Sequence, residues 1–390
     1  MDQAETMLLD RSIEIVENRL PELADRFMHV PLDYYTSEEF DRRERHLFMT
    51  QPRALLASNE IPNPDDFHVR FAMGRSILLT RDVDGKAHAF LNYCRHRGAE
   101  PASGCGNARR HSCPYHNWTY NSKGELVAMP LADRNADLDY AQYGLVELPS
   151  EERHGFIWVI LTPGLPIDVA GHLGEVDAQL AALGSEKKKY WNALPHAPLS
   201  TGWKSVAEGL VESLHVPFVH RETFYTNPQA TGVDMAIYDR FGPHMRFTLP
   251  MFGPDDLDRL KAAPTGQTSL DETVAQVWLI SPGLLIAQEL YGQIYADLEP
   301  GPKPGTALFR YGWMSPVDEP PAGMLSPSQM AERAAAAIRE DAPVWEGCGR
   351  GLRLGAHGHA LIGRNEKGVQ IFHEALAEQT GYDGLSYADE

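Results

Sequence analysis

Apolar residues recur at helical spacing near the start of the chain, where Met7, Leu8, Ile13, Ile15, Val16 and Leu20 follow a periodic pattern. This predicts an N-terminal helical segment over 1–45 that packs on the rest of the protein. From 46 to 163 the pattern shortens to β-like runs, RFAMGRSILLT, KAHAFLNYC, WTYNSKGELVAM and HGFIWVIL, each punctuated by Gly, Asn, Asp or Pro. Such punctuation predicts a small all-β domain. TPGLPIDVAG reads as a linker into a third region, 164–390. There the pattern predicts a helix around 204–216 and strands over 233–249, 274–298 and 306–315. A last helix is expected over SPSQMAERAAAAIRED, started by Ser326 or Ser328 beside Pro327 and ended by Pro343. Long antiparallel strands with a long C-terminal helix imply an α+β architecture.

Composition narrows the function classes. The 390 residues carry a net charge of −19, which argues against nucleic-acid binding, since that needs a basic footprint. No apolar run approaches the roughly 18 residues needed to span a bilayer, and the acidic, amphipathic N-terminus lacks the basic start of a signal peptide. A soluble, cytoplasmic protein is expected. Four cysteines are no disulfide framework. Neither a GxGxxG opening a helix nor a P-loop is present.

Two constellations carry chemistry. The first is Cys94-Arg95-His96 with Cys113-Pro114-Tyr115-His116. Two thiolates and two imidazoles suit either a structural zinc or a [2Fe–2S] cluster with both histidines on one iron. The two side chains of C-x-H diverge, which suits a cluster with its metals apart. Cys105 and Cys348 are left over as free or structural thiols. Arg95, Arg97, Arg109, Arg110 and His111 fall in the same two loops and predict a local basic collar on an acidic protein.

The second is WKSVAEGLVESLHVPFVH, residues 203–220. Glu212 and His215, three apart, would share a helix face. His215 and His220 lie roughly 140° apart on an unbroken helix, but Pro217 is expected to bend or stop it and let His220 swing back. Two histidines and one carboxylate make the facial triad of non-haem Fe(II) oxygenases. The carboxylate must come from far downstream, and spacing alone does not select it.

CRHRG…CPYHNWTY and the order of the motifs resemble the Rieske non-haem iron ring-hydroxylating oxygenases, in their large catalytic subunit. The resemblance runs from about residue 45 to 375. It implies a Rieske [2Fe–2S] domain over 46–163, with Cys94, His96, Cys113 and His116 as ligands, and a helix-grip (START-like) catalytic domain over 164–390 holding one mononuclear Fe(II). AAIREDAPVWEGCGRGL is similar to a late E-D-x4-E stretch of monooxygenase-type members, which implies Asp341 as the third ligand with Glu340 as fallback and Glu346 in a supporting role. Asn117 stands where many members have Gly, and Gly209 where many have Asn. By the same resemblance Glu212 joins His215 to the cluster histidine of a neighbouring chain in a homotrimer. Leu210 and Val216 flank the iron-helix residues and are expected near the substrate. The implied activity is that of a terminal oxygenase. Electrons from NAD(P)H arrive through a flavoprotein reductase, with or without a ferredoxin, and O₂ is used to hydroxylate or oxidatively demethylate a small organic substrate. Arene cis-dihydroxylation is the alternative. A Rieske electron carrier would not need residues 164–390, and a START-like binding protein would not need the iron site.

Overall fold

Alternate side chains of the strand Arg75–Arg81 enter two different cores. Ile77 and Leu79 join Leu55, Ile61, Ala89, Ile157 and Val159, while Leu78 joins Phe90, Cys94, Cys113, Tyr120 and Leu126. Successive residues of a strand point to opposite faces, so a strand covered on both sides carries consecutive apolar residues, here Ile77, Leu78 and Leu79. In this computed structural model, which describes residues 3–192, 197–223, 235–250, 256–263, 273–289, 292–316, 325–355 and 357–388, that strand is the middle of a five-stranded antiparallel sheet. The order is Glu147–Leu148, Ala87–Leu91, Arg75–Arg81, Asp66–Ala72, Cys105–Asn107. Two three-stranded sheets accompany it, Ser150–Arg153/Phe156–Val159/Arg53–Ala57 and Arg110–Ser112/Thr119–Asn121/Leu126–Ala128.

These sheets lie in one compact unit, Phe48–Tyr190. Residues 164–188, expected to open the catalytic region, lie in this unit. The helices Val169–Leu173 and Val176–Ala182 bury Val169, Leu173, Val176 and Leu180. Asp177 accepts hydrogen bonds from Arg153 Nε (2.6 Å) and is 2.7 Å from His154 Nε2. The stretch read as a linker thus leads into helices docked by apolar burial, with ion pairs at Asp177 beside it.

The other unit comprises Met1–Leu47 and Trp191–Glu390. Ile237–Phe241, His244–Pro250, Val274–Ile280, Leu284–Glu289, Gly292–Pro300 and Ala307–Ser315 pair antiparallel in chain order, and Ala197–Leu199 pairs with the last. The apolar run 274–298 is thus not one strand but is folded into three. Residues 233 and 234 of the predicted strand over 233–249 lie outside the described residues. The helices Trp203–Leu210, Pro327–Leu354 and Lys367–Thr380 contact this sheet, giving the α+β class. At the N-terminus lie the helices Gln3–Asn18, Asp33–Thr36 and Glu38–Thr50. Between them is a strand that periodicity missed, Phe27–Pro31, central in a sheet with His359–Ile362 and Ser386–Ala388. Five residues ending in proline are too short for a period to show. Leu8, Leu9 and Ile15 bury against Ile237, Leu260 and Val274, whereas Met7 and Leu20 are exposed, Leu20 lying past the helix end. Among the described residues no helix is long and apolar enough to cross a membrane.

Candidate metal centres

Two loops at one end of the β unit share a backbone scheme despite their different spacing. Cys94 N–H donates to Ala99 O and Gly98 N–H to Cys94 O; Cys113 N–H donates to Trp118 O and Asn117 N–H to Cys113 O. Each turn needs a left-handed residue, supplied by Gly98 (φ +80°) and Asn117 (φ +55°). Asparagine tolerates that conformation, so the Asn117 departure leaves the turn intact. Cys94 and Cys113 are buried in the second core, and the His96 and His116 rings lie 4.6 Å apart. His96 stacks on Trp118. Buried His116 Nδ1 has no hydrogen-bond partner, as a metal-ligating nitrogen would not. The four donors do not converge as one zinc ion requires: among the described residues the trio below is the one group whose donor atoms all lie within 4.8 Å of one another. A cluster spanning two metals fits them. Cys105 and Cys348 are free and exposed. His111 is buried rather than part of a basic collar, which leaves Arg95, Arg97, Arg109 and Arg110 exposed.

Tyr120 was not singled out from the sequence, although WTY follows the second pair directly. Its hydroxyl accepts from Arg95 N–H at 3.0 Å and lies 3.3 Å from Cys94 Sγ. Burial and Cys94 push its pKa above the usual phenol value, and a cluster-bound Cys94 thiolate, having no proton of its own, would accept the hydroxyl's hydrogen bond. Tyr120→Phe is expected to lower the cluster potential, by about 40 mV for each kcal/mol of stabilisation lost from the reduced state. A redox titration of the visible absorption measures it.

The second centre differs locally from the pattern's forecast. The helix Trp203–Leu210 ends before Glu212, and a new short helix, Val216–Val219, begins with Pro217 in its first turn. Proline is favourable there, because its missing N–H would be unpaired anyway, so Pro217 starts a helix rather than stopping one. In the break, Glu212 accepts the backbone N–H groups of Leu214 and His215, and its carboxylate also meets His215 Nδ1. The other expectation about proline also fails: Pro343 sits inside a helix that runs from Pro327 to Leu354, capped by Ser326 with Gln329 at one end and Gly355 at the other. That helix brings Asp341 to the histidines. Asp341 Oδ1 is 3.2 Å from His220 Nε2 and 3.7 Å from His215 Nε2.

Glu340 points elsewhere. Its Oε2 is 2.8 Å from His220 Nδ1 and accepts from Thr223 Oγ1 at 2.6 Å. Each histidine therefore has Nδ1 beside a carboxylate and Nε2 turned to Asp341, the orientation in which Nε2 can serve as a metal ligand. Burial opposes a charged His220, but Asp341 and Glu340 outweigh it and raise its pKa. Burial likewise opposes the Glu340 carboxylate, and Thr223 and His220 lower its pKa nonetheless. Three carboxylates around two neutral imidazoles leave a negative excess that a divalent cation would reduce but not cancel. Glu340→Ala is expected to keep the trio but weaken metal binding about 10–100-fold, as read by titrating demetallated protein with Fe(II). Glu346 accepts from Ser200 N–H and lies off the site. Leu210 and Val216 flank the break and are half-buried.

A β domain shaped to hold a Rieske cluster, joined to an α+β catalytic domain with a two-His, one-carboxylate trio, defines a class of two-centre iron protein. The chain belongs to the ring-hydroxylating oxygenase alpha-subunit family: residues 183–381 match "Ring hydroxylating alpha subunit (catalytic domain)", and residues 51–147 match "Rieske [2Fe-2S] domain". It is 28% identical over 204 residues to the carnitine monooxygenase oxygenase subunit of Escherichia coli (strain K12), covering 49% of this chain and 52% of that protein. It is 28% identical over 225 residues to chloroplastic choline monooxygenase of Spinacia oleracea, covering 56% and 50%. The chain spans about half the length of the curated relatives it matches. In fold it is similar to a quaternary ammonium Rieske monooxygenase solved with L-carnitine (TM-score 0.76, 21% identity, 93% of this chain and 97% of that one). It is also similar to naphthalene 1,2-dioxygenase from Rhodococcus sp. (0.74, 18%, 96% and 98%).

Proposed function

We propose that the chain is the terminal oxygenase component of an NAD(P)H-dependent Rieske system and monohydroxylates or oxidatively demethylates a small organic substrate. The observation that carries this is the meeting of His215, His220 and Asp341 in a chain that also holds the Cys94/His96/Cys113/His116 loops. When bound, the cluster would relay single electrons and the mononuclear iron would activate O₂. The protein's own residues supply the setting. Glu212 and Glu340 fix the two imidazoles, Asp341 completes the trio, and burial of His220 and Asp341 keeps that side away from water. Leu210 and Val216 would border the substrate.

Three carboxylates with no Lys or Arg paired to them among the described residues favour a neutral or cationic substrate over a carboxylate. Relatives named for carnitine and choline oxidation agree with an N-methyl substrate. Arene cis-dihydroxylation is the second reading, supported by the comparable fold similarity to naphthalene dioxygenase. Glu212 would also join His215 to the partner subunit's His116 in a homotrimer; Phe218, three residues after His215 and 71% exposed, is an apolar surface that such a neighbour would cover. A relative's structure is described in terms of inter-subunit electron transfer. The exposed Arg95, Arg97, Arg109 and Arg110 would receive an acidic reductase or ferredoxin, in the cytoplasm.

The test supplies the holoprotein with a flavoprotein reductase, NADH, isotopically labelled O₂ and a panel of N-methyl compounds, methyl ethers, aromatic acids and steroids. One labelled oxygen per product, or demethylation coupled to NADH use, supports the proposal. Two labelled oxygens select dihydroxylation. A reducible cluster with no iron at the trio and no product would make the chain a carrier.

A further inference from the structure

The helix Pro327–Leu354 presents Asp341, Trp345 and Gly349 on one face, since residues four apart lie one turn apart on the same side, and all three are buried. The helix Trp203–Leu210 packs against this one. At Gly209 no side chain fits: a Cβ there would lie 2.3 Å from Trp345 Nε1 and 3.1 Å from Cε2. One turn on, the relation reverses, and a Cβ on Gly349 would lie 2.5 Å from Thr201 Oγ1 and 2.8 Å from its Cβ. Each segment thus fills the gap left by a glycine on the other. Thr201 precedes Gly209 while Gly349 follows Trp345, so the segments run in opposite directions. Asp341, one turn before Trp345, therefore falls opposite the break that carries Glu212 and His215. Pro343 lies between the two positions and removes the N–H that would bond the carbonyl of Arg339, so helical stiffness alone holds Asp341 less firmly.

We propose that Gly209 and Trp345 form an interlock that sets the reach of Asp341 toward His215 and His220, Trp345 acting as a positioning residue. The inference rests on the reading of those three residues as the iron site. The Phe309 ring meets the Trp345 ring edge-on at 6.2 Å and backs the indole from the sheet.

The full chain, with its cluster assembled and the mononuclear site emptied, is titrated anaerobically with Fe(II), and occupancy is read from the EPR signal of the nitric oxide adduct. Gly209→Ala is expected to weaken Fe(II) binding at least tenfold and alter the signal, with cluster content unchanged. Trp345→Ala, which removes the key without crowding, is expected to weaken it several-fold. Gly209→Ala with Trp345→Phe, which trades the indole's pyrrole edge for the added methyl, is expected to recover most of the affinity. Parent-like binding in Trp345→Ala, or no recovery in the soluble double variant, would overturn the interlock. A parent chain that binds no Fe(II) at the trio would overturn the reading of the site, and the interlock with it.

Discussion

Asp341→Ala is expected to abolish product formation, by a factor on the order of 10³ or more, and to remove the mononuclear iron while the cluster's visible absorption stays intact. The separation follows from where the donors lie. Asp341 supplies the oxygen that faces both Nε2 atoms, and no other carboxylate oxygen among the described residues completes the trio. The cluster donors belong to a different compact unit, so losing Asp341 should not disturb them. His215→Ala and His220→Ala are expected to behave alike. Glu340→Ala is the contrast, because its carboxylate touches His220 Nδ1 and Thr223 rather than the open side of the trio. Iron analysis with absorption spectra of the variants decides it. Iron retained in Asp341→Ala and lost in Glu340→Ala would reverse the assignment of the two neighbours.

Glu212→Gln is expected to keep both metal centres, and the homotrimer proposed above, while turnover falls about 100-fold or more. Glutamine retains an oxygen for the backbone N–H groups of Leu214 and His215, so the break before Val216–Val219 keeps its cap. What it loses is the charge beside His215 Nδ1, and supporting carboxylates of this kind typically carry 10–100-fold in metal affinity or activity. If Glu212 also bridges to the partner subunit's His116, slowed electron arrival adds to that loss. Stopped-flow reoxidation of a prereduced cluster in the presence of substrate and O₂ reads that step directly. Normal turnover in Glu212→Gln, or full activity in a monomer, would refute the bridge.

Chemistry was more legible along the chain than shape. Cysteine and histidine at C-x-H and C-x2-H, and Glu212, His215 and His220 at close spacing, are local patterns whose residue types restrict the metals they suit. The short β runs around the first pair likewise announced an all-β setting through turn residues and alternation alone. Proline was misjudged twice for one reason. Its effect depends on whether the N–H it lacks was needed, and position within the element decides that. Pro217 falls in a first turn, and Pro343 inside a helix that burial of Asp341, Trp345 and Gly349 keeps together.

The sequence by itself determined the donor types, their two groupings and the α+β class, because each depends on neighbours within some twenty residues. Spacing left Glu340 and Asp341 open and the resemblance implied Asp341; only the tertiary structure shows Asp341 turned to both Nε2 atoms, with Glu340 on His220 Nδ1. The two carboxylates are adjacent on one helix and chemically alike. Their roles part only because that helix, packed through Trp345 against Gly209, arrives from more than a hundred residues away, with one side turned to His215 and His220 Nε2 and the other to Thr223 and His220 Nδ1.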